Sequence, residues 1–174
     1  MAKYTVKLVD HTNSGDAYKH GIEVAVQERF DEAFDGTDDG VDVSWGAGAD
    51  TDNYVCHFVP DRDHSYIRQK WPKSVIDEEA GGHTYTGAKP MSATEVYWKR
   101  HGSQFPYKSY AMTVVHESMH NLFPSQTIAF VHEMDGGGEK AGIAAAHYSL
   151  KSQMTEHNKQ VIRQGFSVKN PQFF

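Results

Sequence analysis

The sequence predicts an α+β fold in which a mixed, twisted sheet is backed by a long helix, followed by a second helix and a small C-terminal subdomain. Three observations carry this. Residues 4–10, 41–45 and 53–59 alternate apolar and polar side chains with a period of two. Between the first and second of these, Ile22, Val26, Phe30 and Phe34 recur every four residues. Far downstream, residues 110–122 form another apolar-rich stretch with helical spacing. A strand, helix, strand, strand order places the helix over one face of a mixed α/β sheet. The length of 174 residues suits a single domain. Residues 1–122 are expected to form its larger, N-terminal part and residues 123–174 a small C-terminal part that ends in a helix.

Each element follows from its own residues. In YTVKLVD (residues 4–10), Tyr4, Val6 and Leu8 oppose Thr5 and Lys7, the pattern of a half-buried strand. Asp16 is the expected N-cap of a helix over residues 17–34, with Ala25 and Ala33 flanking its apolar stripe. The polar, glycine-broken DGTDDG ends it. VDVSW (residues 41–45) is the second strand, and NYVCHFV (residues 53–59) is the third and the expected sheet edge. Residues 60–106 are weakly patterned, with a short strand expected near residues 83–86 and a turn of helix after Ser92. Ser109 is the expected cap of the helix YAMTVVHESMHNL, which should stop near Leu122 because Phe123 precedes Pro124. Residues 124–141 read as irregular. A last helix is expected from about Thr155, carrying His157 to Arg163, and SVKNPQFF forms a short end.

Composition excludes several function classes. With 17 Lys+Arg against 23 Asp+Glu, the net charge of −6 argues against a general nucleic-acid binder, which needs cations to displace counterions. The 39% apolar content excludes wholesale disorder. A single cysteine excludes an internal disulfide, a Cys-rich zinc knuckle and an iron–sulfur cluster. No apolar run approaches the ~18 residues of a membrane span. MAKYTVKLVDHTNSG lacks a secretory apolar stretch, so the expectation is a cytoplasmic protein or one exported without a cleaved signal. What the composition offers instead is 11 histidines.

Two of them carry the chemistry. His116-Glu117-Ser118-Met119-His120 is a His-Glu-x-x-His motif on a predicted helix. Residues at i and i+4 share one helix face, so both imidazoles reach a single ion, and the rigid helix preorganises them. Glu117 sits beside that ion without having to bind it. There it can take a proton from a zinc-bound water and deliver it to a leaving amine. A catalytic zinc needs a third protein ligand. The downstream candidates are His132, Glu133, Asp135, Glu139 and His147. Because the lone cysteine leaves only His and carboxylate as ligands, the site has the chemistry of a catalytic rather than a structural zinc.

The motif resembles that of the zincin metallopeptidases, and the chain is similar in layout to the metzincin branch. His147-Tyr-Ser-Leu-Lys-Ser-Gln-Met154, followed by a C-terminal helix, looks like that clan's third histidine and methionine-bearing turn. The metzincin Gly and third His are replaced by Phe123 and Gln126, so only His116, Glu117 and His120 match strictly. An insertion over residues 121–146 then stands in place of the short Gly-turn. The resemblance implies a zinc endopeptidase acting on a peptide or protein substrate that adds as a strand to the sheet edge. The alternative function is a zincin-fold binding or structural protein that retains zinc without cutting.

Other residues carry less. Tyr148 can donate to an oxyanion or simply pack its ring, and Met154 can lie beneath the metal or fill the core. Asp35, Asp38, Asp39 and Asp42, and Asp50, Asp52, Asp61 and Asp63, suggest calcium but lack the EF-hand order. A solvated loop is the expected state of both groups. Histidines 11, 20, 57, 64, 83, 101 and 157 are expected to be surface or hydrogen-bonded core residues. Cys56, at a strand centre, is expected to be buried and inert.

Overall fold

A computed structural model describes residues 1–76, 80–87, 91–100 and 103–174. His101 lies outside the described residues. The chain opens with β1 (Lys3–Asp10), α1 (Asp16–Phe34), β2 (Gly40–Trp45) and β3 (Tyr54–Val59). After a 3-10 turn (Arg62–His64) come α2 (Tyr66–Lys70), β4 (Gly82–Tyr85) and β5 (Ala93–Tyr97). A two-stranded ribbon of β6 (Lys99–Arg100) and β7 (Ser103–Gln104) leads into α3 (Tyr107–Asn121). The C-terminal part holds α4 (Ile128–His132), 3-10 turns at Met134–Gly136 and Gly138–Ala144, and α5 (Glu156–Ser167).

The sheet has five strands in the order β2-β1-β3-β5-β4. β1, β2, β3 and β5 are mutually parallel, and β4 runs antiparallel to β5. The architecture is therefore α/β with a mixed sheet, as the element order implied, and the parallel share is larger than an α+β layout suggests. The expected edge strand is corrected: β3 lies in the interior, between β1 and β5, and the edges are β2 and β4. Burial explains this, since all six residues of β3 are buried. Tyr54, Cys56 and Phe58 enter the main core under α1 and α3, while Val59 packs with Ile76 and Tyr97 on the opposite face. A strand covered on both faces belongs inside a sheet.

Three local expectations change. Asp16 is not the cap of α1; Gly15 holds that position and Asp16 begins the helix, its carboxylate at the positive end of the helix dipole. α3 starts at Tyr107 behind Pro106, so Ser109 is inside it, its carbonyl accepting from the Thr113 hydroxyl. The segment after Ser92 is a strand, not a helical turn. All five residues of β5 are buried, which is why no polar alternation marks it.

α3 is enclosed, with eleven of its fifteen residues buried. α1 and the sheet pack against it, and the C-terminal elements close it from the other side. α5 begins, as expected, at Thr155, whose hydroxyl and Asn158 form a reciprocal capping box. Phe166 of α5 meets the rings of Tyr4, Phe30 and Phe34, which ties the C-terminal helix to α1 and β1. Gly142 lets the second 3-10 turn pass close to α5. Its φ is +60°, and a Cβ there would collide with the Gln153 carbonyl. The tail is docked: Ser92 N–H donates to Pro171 O, Phe173 N–H donates to Ser92 O, and Gln172 is buried.

Candidate metal centre

The site is built on α3, which is packed between α1, the sheet and the C-terminal elements. His116 and His120 stand one turn apart on it, His116 buried and His120 partly so. The Nδ1 of His116 is 2.7 Å from the carbonyl of Ile143. A carbonyl only accepts, so this nitrogen carries the proton and Nε2 presents its lone pair. The third member comes from α4, a one-turn helix whose N-cap Thr127 accepts from Phe130 N–H. Its last residue, His132, lies over α3.

The three Nε2 atoms converge. His120 is 3.1 Å from His132, and His116 is 3.3 Å from each of them. An ion held ~2.0–2.1 Å from nitrogens at three corners of a tetrahedron separates them by ~3.3–3.4 Å. The observed triangle is that face, and the donor set fits a divalent cation such as zinc. Burial pushes His116 down to about 4 and His120 to about 3, and neighbouring imidazoles act in the same direction. His132 is lowered by burial and then by His147. All three rings are therefore neutral near pH 7, the state in which imidazole binds metal.

Among the described residues, the converging set is His116, His120 and His132. His147, the ligand expected from the sequence, lines the same cavity but is exposed and stays outside the set. It sits on the loop after the second 3-10 turn, whereas α4 brings His132 directly across the motif helix. Glu133, Asp135 and Glu139 are exposed and outside the cluster too, and Asp135 instead pairs with His157 at 2.9 Å.

Glu117 is buried and lines the cavity next to the triad. Its Oε2 accepts from the Thr84 hydroxyl at 2.7 Å. Burial raises the carboxyl to about 7, with the Thr84 hydrogen bond opposing. Thr84 belongs to β4, which lies close over α3 because residue 82 is glycine. A Cβ there would sit 2.7 Å from Thr113 Cγ2 and 3.0 Å from the Glu95 carbonyl. The cavity encloses about 1050 Å3 between β4, α3, α4 and the loop at Ala146 to Leu150.

The remaining candidates fall into place around this. Tyr148 packs its ring 4.6 Å from that of His116 and donates its hydroxyl to Thr113 Oγ1 at 2.7 Å, the packed alternative. Met154 is buried in the main core. Cys56 is fully buried, and burial pushes its thiol far above the range of reactive cysteines. The acidic loops serve the backbone: Asp39 accepts from Ala2 N–H, Asp52 from Ala49 N–H and Asp61 from His64 N–H. Sequence reasoning ranked His132 second and overlooked Thr84. The Thr127 cap before Ile128 and Val131 was the available signal for α4; Thr84 had none. No described helix is long and apolar enough to cross a membrane. Comparison with protein-family models, curated proteins and solved structures finds no match, so the chemistry rests on this geometry.

Proposed function

We propose that the chain is a zinc-dependent metallopeptidase of zincin type, with His116, His120 and His132 as ligands and Glu117 as general base. The triangle of Nε2 atoms beside a buried carboxylate is the observation that carries this reading. A cation in that position supplies Lewis acidity, acidifying water and polarising a carbonyl oxygen. The chain's own groups do the rest. The Ile143 carbonyl fixes the His116 tautomer, and α3 and α4 hold the three rings with their Nε2 atoms converging. Glu117, steadied by Thr84, accepts a proton from the attacking water and returns it to the departing amine.

The cavity supports a polypeptide substrate. Among the described strands β4 is paired only with β5, so its outer edge offers backbone groups to an extended chain. Val75, Ile128 and Leu150 line the cavity and are exposed, a setting for apolar side chains flanking the scissile bond. Among the described lining residues there is no Lys or Arg, which leaves a C-terminal carboxylate without a counter-charge and favours cleavage within a chain.

The second reading is a zinc site without hydrolysis, which needs a fourth protein ligand. Among the described residues the cluster holds three, and this favours the hydrolytic reading. The expected result is one zinc per chain, cleavage of an unfolded protein substrate, and Glu117→Gln that keeps zinc but loses at least ~100-fold of the turnover. A chain that binds no zinc, or an E117Q variant as active as the parent, overturns the assignment.

A further inference from the structure

A line of hydrogen bonds, buried as far as Thr94, connects the C-terminal tail to Glu117, and its direction can be derived. The Oε1 of Gln172 accepts from Val55 N–H at 3.2 Å. A backbone N–H only donates, so the other end of the Gln172 amide is its NH2, which donates to Asn121 Oδ1 at 2.6 Å and to Asn170 O at 3.1 Å. That fixes the Asn121 amide, whose Nδ2 donates to Thr94 Oγ1 at 2.9 Å. The Thr84 and Thr94 hydroxyls are 2.9 Å apart, and when Glu117 is ionised Thr84 spends its one proton on Glu117 Oε2 at 2.7 Å, with the Glu117 carbonyl farther off at 3.3 Å. The proton between the two threonines therefore belongs to Thr94. Every donor along the line points toward the carboxylate.

Three of its four members are shielded from water: Gln172, Asn121 and Thr94 are 1%, 0% and 0% exposed, while Thr84 is half-buried at the cavity wall. Hydrogen bonds aligned in this way polarise one another, and in a dry interior each leans on the next. Asn121 is also held from outside the line, because Asn170 Nδ2 donates to its carbonyl at 2.8 Å. The tail is thus an anchor at the far end of a four-side-chain relay, and the sheet strands β4 and β5 supply the two hydroxyls in its middle.

We propose that Gln172, Asn121, Thr94 and Thr84 are positioning residues that act through one another to hold the Glu117 carboxylate as an oriented acceptor. Its significance for catalysis rests on Glu117 being the general base; the relay itself does not. The relay makes the C-terminal tail part of the site's machinery although Gln172 itself does not line the cavity.

The test reads the carboxylate directly, without turnover. The full chain is labelled with 13C at the glutamate side-chain carboxyl, and the Glu117 resonance is identified by its loss in Glu117→Gln. Thr84→Val displaces that resonance, and Thr84→Ser, which keeps the hydroxyl, restores it. Gln172→Met displaces it from the other end of the line. In a Thr94→Val background, where the line is cut, Gln172→Met no longer moves it. Thr94→Val replaces a buried strand residue by one of the same shape, so this variant keeps the experiment informative if the tail change loosens the fold. A Glu117 resonance indifferent to Gln172→Met, or equally displaced by it with Thr94 intact and replaced, overturns the relay. Absence of peptide cleavage by the zinc-loaded parent chain bears on the hydrolytic reading alone, since the resonance reports the relay in either case.

Discussion

At His116 one hydrogen bond decides which nitrogen is available. With Nδ1 committed to Ile143 O, only the Nε2 lone pair of His116 faces the Nε2 atoms of His120 and His132 at 3.3 Å, and a cation among the three would take the place of any proton those rings share. This separates the two histidines that compete for the third ligand position. Removing a ligand should cost more than the ~10–100-fold in affinity that loss of an outer-shell partner costs. His132→Ala is therefore expected to weaken zinc binding beyond ~100-fold in a competition with a chelating dye, and His147→Ala by only a few-fold. The reverse ranking would transfer the ligand role to His147. The pair on α3 was legible because a helix fixes the relation of residues four apart. His132 was not, because its place depends on how a one-turn helix folds back over α3, which no local pattern encodes. Thr84 was further from sight still. Its role exists only where β4 touches α3, in a segment whose sequence carries almost no periodicity.

β4 lies on α3 at a distance that glycine alone permits, and this contact is what brings Thr84 to Glu117. A Cβ at position 82 would meet Thr113 Cγ2 at 2.7 Å, Glu95 O at 3.0 Å and Glu117 Cγ at 3.1 Å. The first and third belong to the packed helix and the second to the neighbouring strand, so none can retreat cheaply. Gly82→Ala should destabilise the chain by about 1–3 kcal/mol in urea unfolding, the usual range for overpacking. Because the clash includes the base itself, turnover should fall as well, in a variant that still binds zinc. Unchanged stability would mean that β4 has room to lift away. The elements that sequence read well are those with one buried face: β1, α1 and β2 match to within a residue or two because their exposed sides write the period into the sequence. α5 starts within a residue of the expected Thr155, which turns out to cap it. β5 and the inner placement of β3 were not, since a strand buried on both faces has no polar side to mark it. The length of α3 was underestimated because a serine looked like a better cap than the proline that precedes the helix.

On the scale of the whole molecule, the sheet has two covered faces, and the second carries its own histidine. His57 of β3 is 1% exposed beneath Tyr66 and Phe173. Its Nε2 is 3.1 Å from the Phe173 carbonyl and its Nδ1 is 2.9 Å from His11 Nε2. The carbonyl requires the proton on Nε2, so Nδ1 accepts from His11, and a second proton on His57 breaks that bond. Burial pushes His57 down to about 4, with His11 adding to the effect and the Phe173 carbonyl opposing it. Burial lowers His11 too, against the charges of Asp10 and Glu95. In the unfolded chain a histidine titrates near ~6.5. Between these values the unfolded state binds more protons, so stability rises with pH through the window. It is fully present above about 6.5 and is lost as pH falls through about 4, a loss on the order of 3 kcal/mol for His57 alone. His57→Gln can keep both hydrogen bonds and does not titrate. Urea midpoints measured in chelator at pH 7.5 and 4.5 should therefore fall less in this variant than in the parent chain. The metal-site histidines titrate in both proteins and cancel in the comparison. An equal fall would place the acid sensitivity elsewhere and leave the tail's hold on β3 independent of pH.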